Sequence, residues 1–439
     1  MLLDRVLPAP LALAALAAAA ITAPAEAQPH PLPQVSALGS PARLLVIDLD
    51  DVGYDLLRET PTPTLDALER NGRFFTAFTT APICSPTRAM FNTGAYPSHP
   101  DLLTGEVVFT SSPFSMPTAP LEPLATLITA AGYSTAKIGK WHLAGIADTD
   151  HPRRCGWGLY AGVLSNLIEP NQSFAAYPKI INGQHALGSD DYLTTDETND
   201  AIRCVEAEID LISVSYHAPH RPWHTPPAHL HSIDPINTDR DRARAMLQAC
   251  DTELRRLLAA ALPRGYTVVV FADNGTARPI GGQKGWLLDG GVINPMWAFG
   301  PGVVPGVDDS RVGVVDLYAT IAEFFGVPAG AGSGFEMRGP QSSSFLRALG
   351  GVPIERRWSY SERFPQPGTD PRVSGVHWRR MVRGERFKLT LAGANAAEMK
   401  FVDLLNDPYE QTNLLDPPVS LSPMGRTAYT WFSYVLTRL

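Results

Sequence analysis

The chain has 439 residues, 18% of them charged and 44% hydrophobic, with a formal net charge of −8. That length buries a large core, and the composition excludes both a disordered chain and a membrane-embedded bundle. The negative balance argues against nucleic acid as a partner but leaves an anionic substrate open, because local arginines and lysines set the field in a cleft.

Asp4 and Arg5 precede an apolar run from Val6 to Ala23 and a small-residue site, Ala25-Glu26-Ala27. This is a secretory signal pattern; it predicts cleavage after Ala27 and an exported protein, periplasmic or secreted. Retained, the same run would be a membrane anchor. Four cysteines are too few for a disulfide scaffold. With Cys84 set apart, Cys155, Cys204 and Cys250 allow one bridge at most.

After a Pro-rich leader, RLLVIDLDDVGY is a continuous apolar run, the mark of a strand buried on both faces, ending in Asp50 and Asp51. Open α/β sheets build their sites at such carboxyl ends, although paired acids in a turn are ordinarily a solvated corner. Asp48 competes as a ligand. Thr62 is the predicted N-cap of a helix with Leu65 and Leu68 on one face and Gly72 at its end. RFFTAFTTAPI returns as a strand whose Phe74, Phe75 and Phe78 read as core. That strand delivers APICSPTRAMFNTG. Pro86 suits a first helical turn and Gly94 closes the helix, so Cys84 lies at a helix N-terminus, where unpaired N–H groups favour an anion. Arg88 stands one turn on. Alone, a cysteine before a proline turn is more often a small buried hydrophobe.

Leu121 to Ala131 predicts a second amphipathic helix ahead of GYSTAKIGKWHLAG, an extended segment in which Lys140 and His142, two residues apart, point to one face. CGWGLYAG supplies Trp157 and Tyr160 without evident chemistry, and Val163 to Ser189 is irregular. TDETNDAIRCVEAE reads as a helix and DLISVSY as a strand. HAPHRPWHTPP then brings together His217, His220 and His224, with His229 nearby. Zinc must be weighed there, but prolines interrupt the spacing and the acids elsewhere favour a hard cation. Trp223 and His224 are candidates for a substrate rim. DRDRARAMLQACDTELRRLLAAAL is a packing helix with Cys250 on its apolar face, and YTVVVFADNG is another buried strand, ending in Asp273 and Asn274. Three carboxylates and a carbonyl oxygen from two strand ends suit calcium or magnesium better than zinc. GGQKGWLLDGGVINP carries Lys284. From Trp358 the chain changes character, and HWRRMVRGERFKLTL alternates as a strand pair.

CSPTR resembles the CxPxR sequence of the type I, formylglycine-dependent sulfatases of the alkaline phosphatase superfamily. Further segments resemble that family in the same order: DDVGY, GYSTAKIGKWHLAG, CGWGLYAG, HAPHRP, ADNG, GGQKG and FVDLLNDPYEQTNLLD. Two positions depart from it. Ile293 stands where the family usually has arginine, and Asn92, where it prefers an apolar residue, is expected to face solvent.

The resemblance implies an α/β fold, a large mixed β-sheet sandwiched between helices with a small C-terminal antiparallel-sheet subdomain. The expected division is a signal peptide at 1–27, a catalytic domain at 42–350 and a small C-terminal unit at 351–439. It further implies that a formylglycine-generating enzyme oxidises Cys84 to formylglycine, and that Asp50, Asp51, Asp273 and Asn274 bind Ca²⁺, or Mg²⁺. The hydrated aldehyde would attack a small-molecule or saccharide sulfate ester. Arg88, Lys140 and Lys284 would neutralise the transferring group. Asp273 would accept the attacking hydroxyl's proton, His220 with Lys284 would assist the leaving oxygen, and His142 would take a proton on release. Two alternatives stand beside this: a phosphonate monoester or phosphodiester hydrolase on the same machinery, and an unmodified, non-enzymatic metal-binding homologue.

Overall fold

The first apolar run places the sheet. In β1 (Leu44–Leu49), Leu44 and Val46 pack into one core cluster while Leu45, Ile47 and Leu49 pack into another, so the strand is covered on both faces as its sequence predicts. Fully burying each such side chain is worth about 1.5–3 kcal/mol. The structure, a computed structural model, describes residues 42–102, 115–186, 191–328, 341–363, 378–392, 398–416 and 420–436. The predicted signal segment lies outside the described residues. Among the described residues no helix is long and apolar enough to cross a membrane.

The other strands of this sheet are β2 (Arg73–Thr79), β3 (Thr135–Lys140), β4 (Leu159–Val163), β5 (Ile180–Ile181), β6 (Gln184–His185), β7 (Leu211–Tyr216), β8 (Thr267–Ala272), β9 (Ile293–Phe299) and β10 (Gly306–Asp308). Their order is β10-β2-β9-β8-β1-β7-β3-β4-β5-β6. β1 runs parallel to β7 on one side and to β8 on the other, so the chain's crossovers diverge there. A crevice opens at the carboxyl ends of strands at such a point. β9 is antiparallel to both β8 and β2, which makes the sheet mixed.

Helices cover both faces. α1 (Pro63–Asn71), with α3 (Leu193–Glu206) and α4 (Asp239–Ala261), packs into the cluster that holds Leu45 and Ile47; α2 (Cys84–Thr93) and α5 (Val314–Phe324) pack into the one that holds Leu44 and Val46. The mixed sheet between helices expected from the sequence is therefore present. A separate antiparallel sheet follows, in the order β11 (Ser359–Arg363), β12 (Arg379–Arg383), β13 (Phe387–Ala392) and β14 (Glu398–Asp403), with α6 (Pro423–Leu436) against it. Its Tyr360, Val382, Phe387 and Phe401 join the core cluster of α2 and α5. The small sheet is thus welded to the large one by shared apolar surface. All four cysteines are buried and free.

Thr62 precedes α1, but its side chain makes no capping bond. The cap comes from α4: Thr64 N and Leu65 N donate to the Asp251 carboxylate at 3.0 and 2.8 Å. Burial raises the Asp251 pKa to about 6, against the lowering effect of those bonds. A carboxyl raised in the folded state contributes stability that is present below its unfolded pKa and lost as pH rises through the folded one. Relative to Asp251→Asn, the wild type should therefore lose roughly 2–3 kcal/mol between pH 4 and pH 7. Paired urea melts at the two pH values check this, and parallel curves for the two proteins would refute it.

Candidate active site

The strand ends at the centre of the sheet assemble the site. Asp50 and Asp51 leave β1, Asp273 and Asn274 leave the adjacent β8, Lys140 ends β3, and His220 follows β7. α2 brings Cys84 in from the first turn of the helix, and all ten residues of that helix are buried. The helix stops where Gly94 adopts φ 65° and returns its N–H to Met90 O at 2.9 Å. A Cβ there would lie 2.9 Å from the Tyr318 ring. Gly139 is likewise obligatory: at φ +83°, a Cβ would meet the Ser215 carbonyl oxygen at 2.1 Å.

Every candidate residue except His142 and His220 makes a hydrogen bond or ion pair with another one. Cys84 Sγ lies 3.2 Å from Asp50 Oδ1, 3.9 Å from Asp51 Oδ1 and 3.1 Å from Lys284 Nζ. Lys140 Nζ donates to Asp50 Oδ2, and Lys284 Nζ donates to Asp51 Oδ1. Arg88 sits behind them, with Nη2 at 3.2 Å from Asp50 Oδ2, 3.3 Å from Asp273 Oδ2 and 2.9 Å from Asp48 Oδ2. Asn274 Nδ2 donates to Asp51 Oδ1 at 2.7 Å. His220 falls in the same cluster: it, Asp50, Asp51 and Cys84 each offer an atom within 4.8 Å of the others.

Charges in this pocket are strongly redistributed. Burial works against ionisation of Asp50, yet Lys140, His220 and Arg88 hold its carboxyl well below the usual range. Asp273 moves the other way: burial, with the charge of Asp50 added, raises it well above the usual value. Burial also raises Asp51 despite Lys284. The Cys84 thiol is pushed well up by burial and by Asp50, so it is not a thiolate here. Burial and the neighbouring Lys140 keep both His142 and His220 well below the ordinary histidine value.

Three acids crowded so closely call for a cation. The Asn274 Oδ1 atom is buried without a hydrogen-bond partner, which a ligand role would explain. Asp50 and Asp51 cluster with Cys84 and His220, while Asp273 and Asn274 meet Asp51 from the adjacent strand end; the carboxylates suit a hard divalent ion. The four histidines considered for zinc do not gather. His217 pairs with Glu197 at 2.6 Å, His224 bonds Tyr192 at 3.1 Å, and His229 is exposed, which leaves His220 alone in the pocket.

Several local readings need correction. β3 ends at Lys140, and His142 lies beyond it at φ 57°, so strand alternation does not align the two side chains. Both ring nitrogens of His142 are buried and unpartnered. Asn92 does not face solvent: it is 2% exposed, and its amide donates to Arg88 O at 2.8 Å while accepting from Trp157 Nε1 at 3.4 Å. Trp223 and His224 are half-buried, and His224 packs against Phe174 at 4.6 Å. Ile293 simply starts β9, and the turn before it still delivers Lys284.

One part of the pocket's support was not predicted. Lys137 is buried and bonds Ser213 Oγ at 3.0 Å and Ser215 Oγ, while Ser215 Oγ donates to Asp48 Oδ1. Burial lowers the Lys137 pKa to about 8, with Asp48 opposing. Asp48 therefore braces Arg88 from behind. The only sequence signal was a lysine inside an apolar strand.

The Sulfatase family model matches residues 45–327. Human (Homo sapiens) arylsulfatase A is 28% identical over 337 residues, which cover 66% of this chain and 66% of that protein. Mouse (Mus musculus) steryl-sulfatase is 36% identical over 171 residues, 36% of this chain and 27% of that protein. Arylsulfatase J of Mus musculus is 26% identical over 55% of this chain, and the match covers 42% of its length. The chain thus spans less than half of two of these curated relatives. Among solved structures, Ps i-CgsB in complex with k-i-k-neocarrahexaose superposes with a TM-score of 0.74 at 20% identity, over 91% of this chain and 92% of that one. BT4656 in complex with its substrate D-glucosamine-2-N,6-O-disulfate gives 0.71 at 16% identity, over 91% and 98%.

Proposed function

The chain belongs to the sulfatase family, and from that premise we propose that it hydrolyses a sulfate ester to an alcohol and inorganic sulfate. The setting of Cys84 carries the reading. Its sulfur sits at a helix N-terminus among Asp50, Asp51 and Lys284, where burial and carboxylates disfavour a thiolate. An unmodified cysteine is poorly suited to nucleophilic work in that place. Conversion to formylglycine by a formylglycine-generating enzyme would supply a hydroxyl nucleophile from the hydrated aldehyde. Asp50, Asp51, Asp273 and Asn274 would hold Ca²⁺, or Mg²⁺, which when bound polarises a sulfate oxygen as a Lewis acid.

The chain's own groups do the rest. Arg88, Lys140 and Lys284 surround the sulfur position with fixed positive charge, stabilising the spread negative charge of a transferring sulfuryl group. Asp273 would receive the attacking hydroxyl's proton. His142, buried with both nitrogens unpartnered, is a neutral base for the release step. His220 with Lys284 would assist the leaving oxygen. The two solved neighbours described with saccharide ligands support a saccharide sulfate ester as the substrate class. Export fits the signal pattern, with residues 42–350 as the catalytic unit and 351–439 as the appended one.

Parallel assays on 4-nitrophenyl sulfate, a phenylphosphonate monoester and bis(4-nitrophenyl) phosphate test the reaction class. The sulfate should be turned over with the highest kcat/KM; a higher value for either phosphorus ester would overturn the assignment. EDTA treatment and dialysis should lower activity at least about tenfold and reduce Tm, since a bound dication relieves repulsion among three acids. Calcium or magnesium should restore both. Stoichiometric zinc in the purified protein, with neither of those ions, would contradict the oxygen-ligand assignment.

A further inference from the structure

The segment that carries Lys284 into the site closes on itself before it enters β9. Lys284 N donates to Thr276 O at 2.9 Å and Gly285 N to Pro82 O at 2.8 Å, so its inner side is tied to the loops after β8 and ahead of Cys84. Its far end is a single helical turn, Asp289–Val292, whose glycines lie against the start of the segment. A Cβ on Gly291 would come within 2.6 Å of Gln283 O, and one on Gly290 within 2.6 Å of Gln283 Oε1. Close packing of this kind leaves no slack between Asp289 and the residue beside Lys284, so a shift at one end is felt at the other.

The outer side faces the small sheet. Asp289 Oδ2 accepts from Arg383 Nε of β12 at 2.7 Å, and Oδ1 accepts from Lys388 Nζ of β13 at 3.1 Å. Its backbone N–H donates to Glu410 Oε1 at 2.6 Å, and Lys388 Nζ donates to that same oxygen at 2.9 Å. Burial opposes ionisation of Asp289, yet Lys388 and Arg383 hold its carboxyl below the usual range. Beside this network Leu287, Val292 and Ile293 pack with Met381 of β12 into an apolar cluster of their own. Arg379 of β12 lies over the Trp286 ring, 5.9 Å from its centroid, and Arg278 lies 5.8 Å from it.

Two features of the small sheet depend on this contact. Arg383 and Lys388 are directly opposite each other where β12 and β13 pair, a position at which like charges destabilise a sheet. The acids that offset them lie outside both strands: Asp289 and Glu410. Glu410 in turn holds φ 55°, a left-handed backbone that is costly for a side chain other than glycine, and its carboxylate spans Lys388 and Asp289 N.

We propose that Asp289, Lys388, Arg383 and Glu410 are positioning residues: through them the small sheet fixes the segment from which Lys284 reaches Cys84 and Asp51. The appended sheet thereby acts on the reaction through Lys284. The consequence for turnover rests on the sulfate-ester reading; the fixing of Lys284 does not.

Two near-isosteric variants of the full chain, Asp289→Asn and Glu410→Gln, test this with Lys140, fully buried at the end of β3, as the internal reference. Acetic anhydride labelling of the folded protein, read by peptide mass, should modify Lys284 about fivefold faster in each variant than in the wild type, the scale of one lost hydrogen bond. Lys140 should keep its rate. For 4-nitrophenyl sulfate each variant should lower kcat/KM about ten- to hundredfold, the scale of a small misplacement of a catalytic group. In a Lys284→Ala background the same substitutions should cost no more than about twofold, because nothing is left to misplace. Additive losses in that background, or equal acceleration at Lys284 and Lys140, would mark a merely structural network and overturn the proposal. Unchanged Lys284 labelling in both variants overturns it as well. A wild type that turns over no 4-nitrophenyl sulfate would instead remove the sulfatase reading and leave the labelling result standing.

Discussion

Replacing Cys84 with alanine is expected to lower kcat/KM for 4-nitrophenyl sulfate by on the order of 10⁴-fold or more, the scale of losing a nucleophile from a site whose other groups act with it. The fold should survive, because the helix that carries Cys84 is closed at its far end by Gly94 and packed along its length. Cys84→Ser separates two explanations of such a loss. A serine hydroxyl restores a hydrogen-bonding group to Asp50 and Lys284 but is not a carbonyl precursor for a cysteine-specific maturation enzyme. If the side chain served only to pack and bond, Cys84→Ser would recover most of the activity. If the aldehyde is required, serine should be nearly as poor as alanine. Intact-peptide mass over Cys84 in the active wild type provides the independent readout, an aldehyde being lighter than the thiol form. Unmodified cysteine in a fully active preparation would sink the mechanism.

The carboxyl-end placement of Asp50, Asp51, Asp273 and Asn274 was legible because two long apolar runs each end in oxygen ligands, and fully buried parallel strands leave little else such runs can be. Cys84 at a helix start was legible from Pro86 and Gly94. What the sequence could not reveal depends on the partner an element meets. Asp251 caps a helix some 187 positions away, and nothing in its own helix marks it. Asn92 looked like a surface residue because its neighbours' burial is set by Trp157 on another element. Lys137 inside β3 is tolerated only because Ser213 and Ser215 on the adjacent strand, with Asp48 beyond, satisfy its ammonium. Arg278 and Arg379 lie over the Trp286 ring from two segments far apart in the chain, so no local pattern joins them. Helix and strand periodicity reports burial along one element; contacts between elements have to be seen.

His220 should prove essential for poor leaving groups and nearly dispensable for good ones. Its Nδ1 lies 2.8 Å from the Arg221 carbonyl oxygen, which only accepts, so Nδ1 carries the proton and the other ring nitrogen is bare in the neutral imidazole. A proton for the leaving oxygen therefore comes from the imidazolium. Burial, Lys140 and Lys284 all oppose that form, while Asp50 and the Arg221 carbonyl favour it. With the folded pKa depressed below the ordinary value, the protonated fraction is largest at acid pH and falls as pH rises through the depressed value. Alanine at 220 should thus cost about 10²–10⁴-fold in kcat/KM on alkyl sulfates, the usual worth of a general acid. The cost on 4-nitrophenyl sulfate should be several-fold at most, and the alkyl rate of the wild type should decline toward alkaline pH before the aryl rate does. His142 makes no hydrogen bond to any group in the site, and its proposed part comes after the ester bond is broken. His142→Ala should therefore slow both ester types alike and leave sulfate covalently retained on the Cys84 peptide, which intact mass would detect. Were both histidines merely binding the ground state, the losses would appear in KM and would ignore the leaving group. A series of sulfate esters spanning leaving-group pKa decides the matter, because equal slopes for wild type and His220→Ala would remove His220 from the acid role and leave Lys284, whose pKa Asp51 and Cys84 raise against burial, as the donor to the departing oxygen.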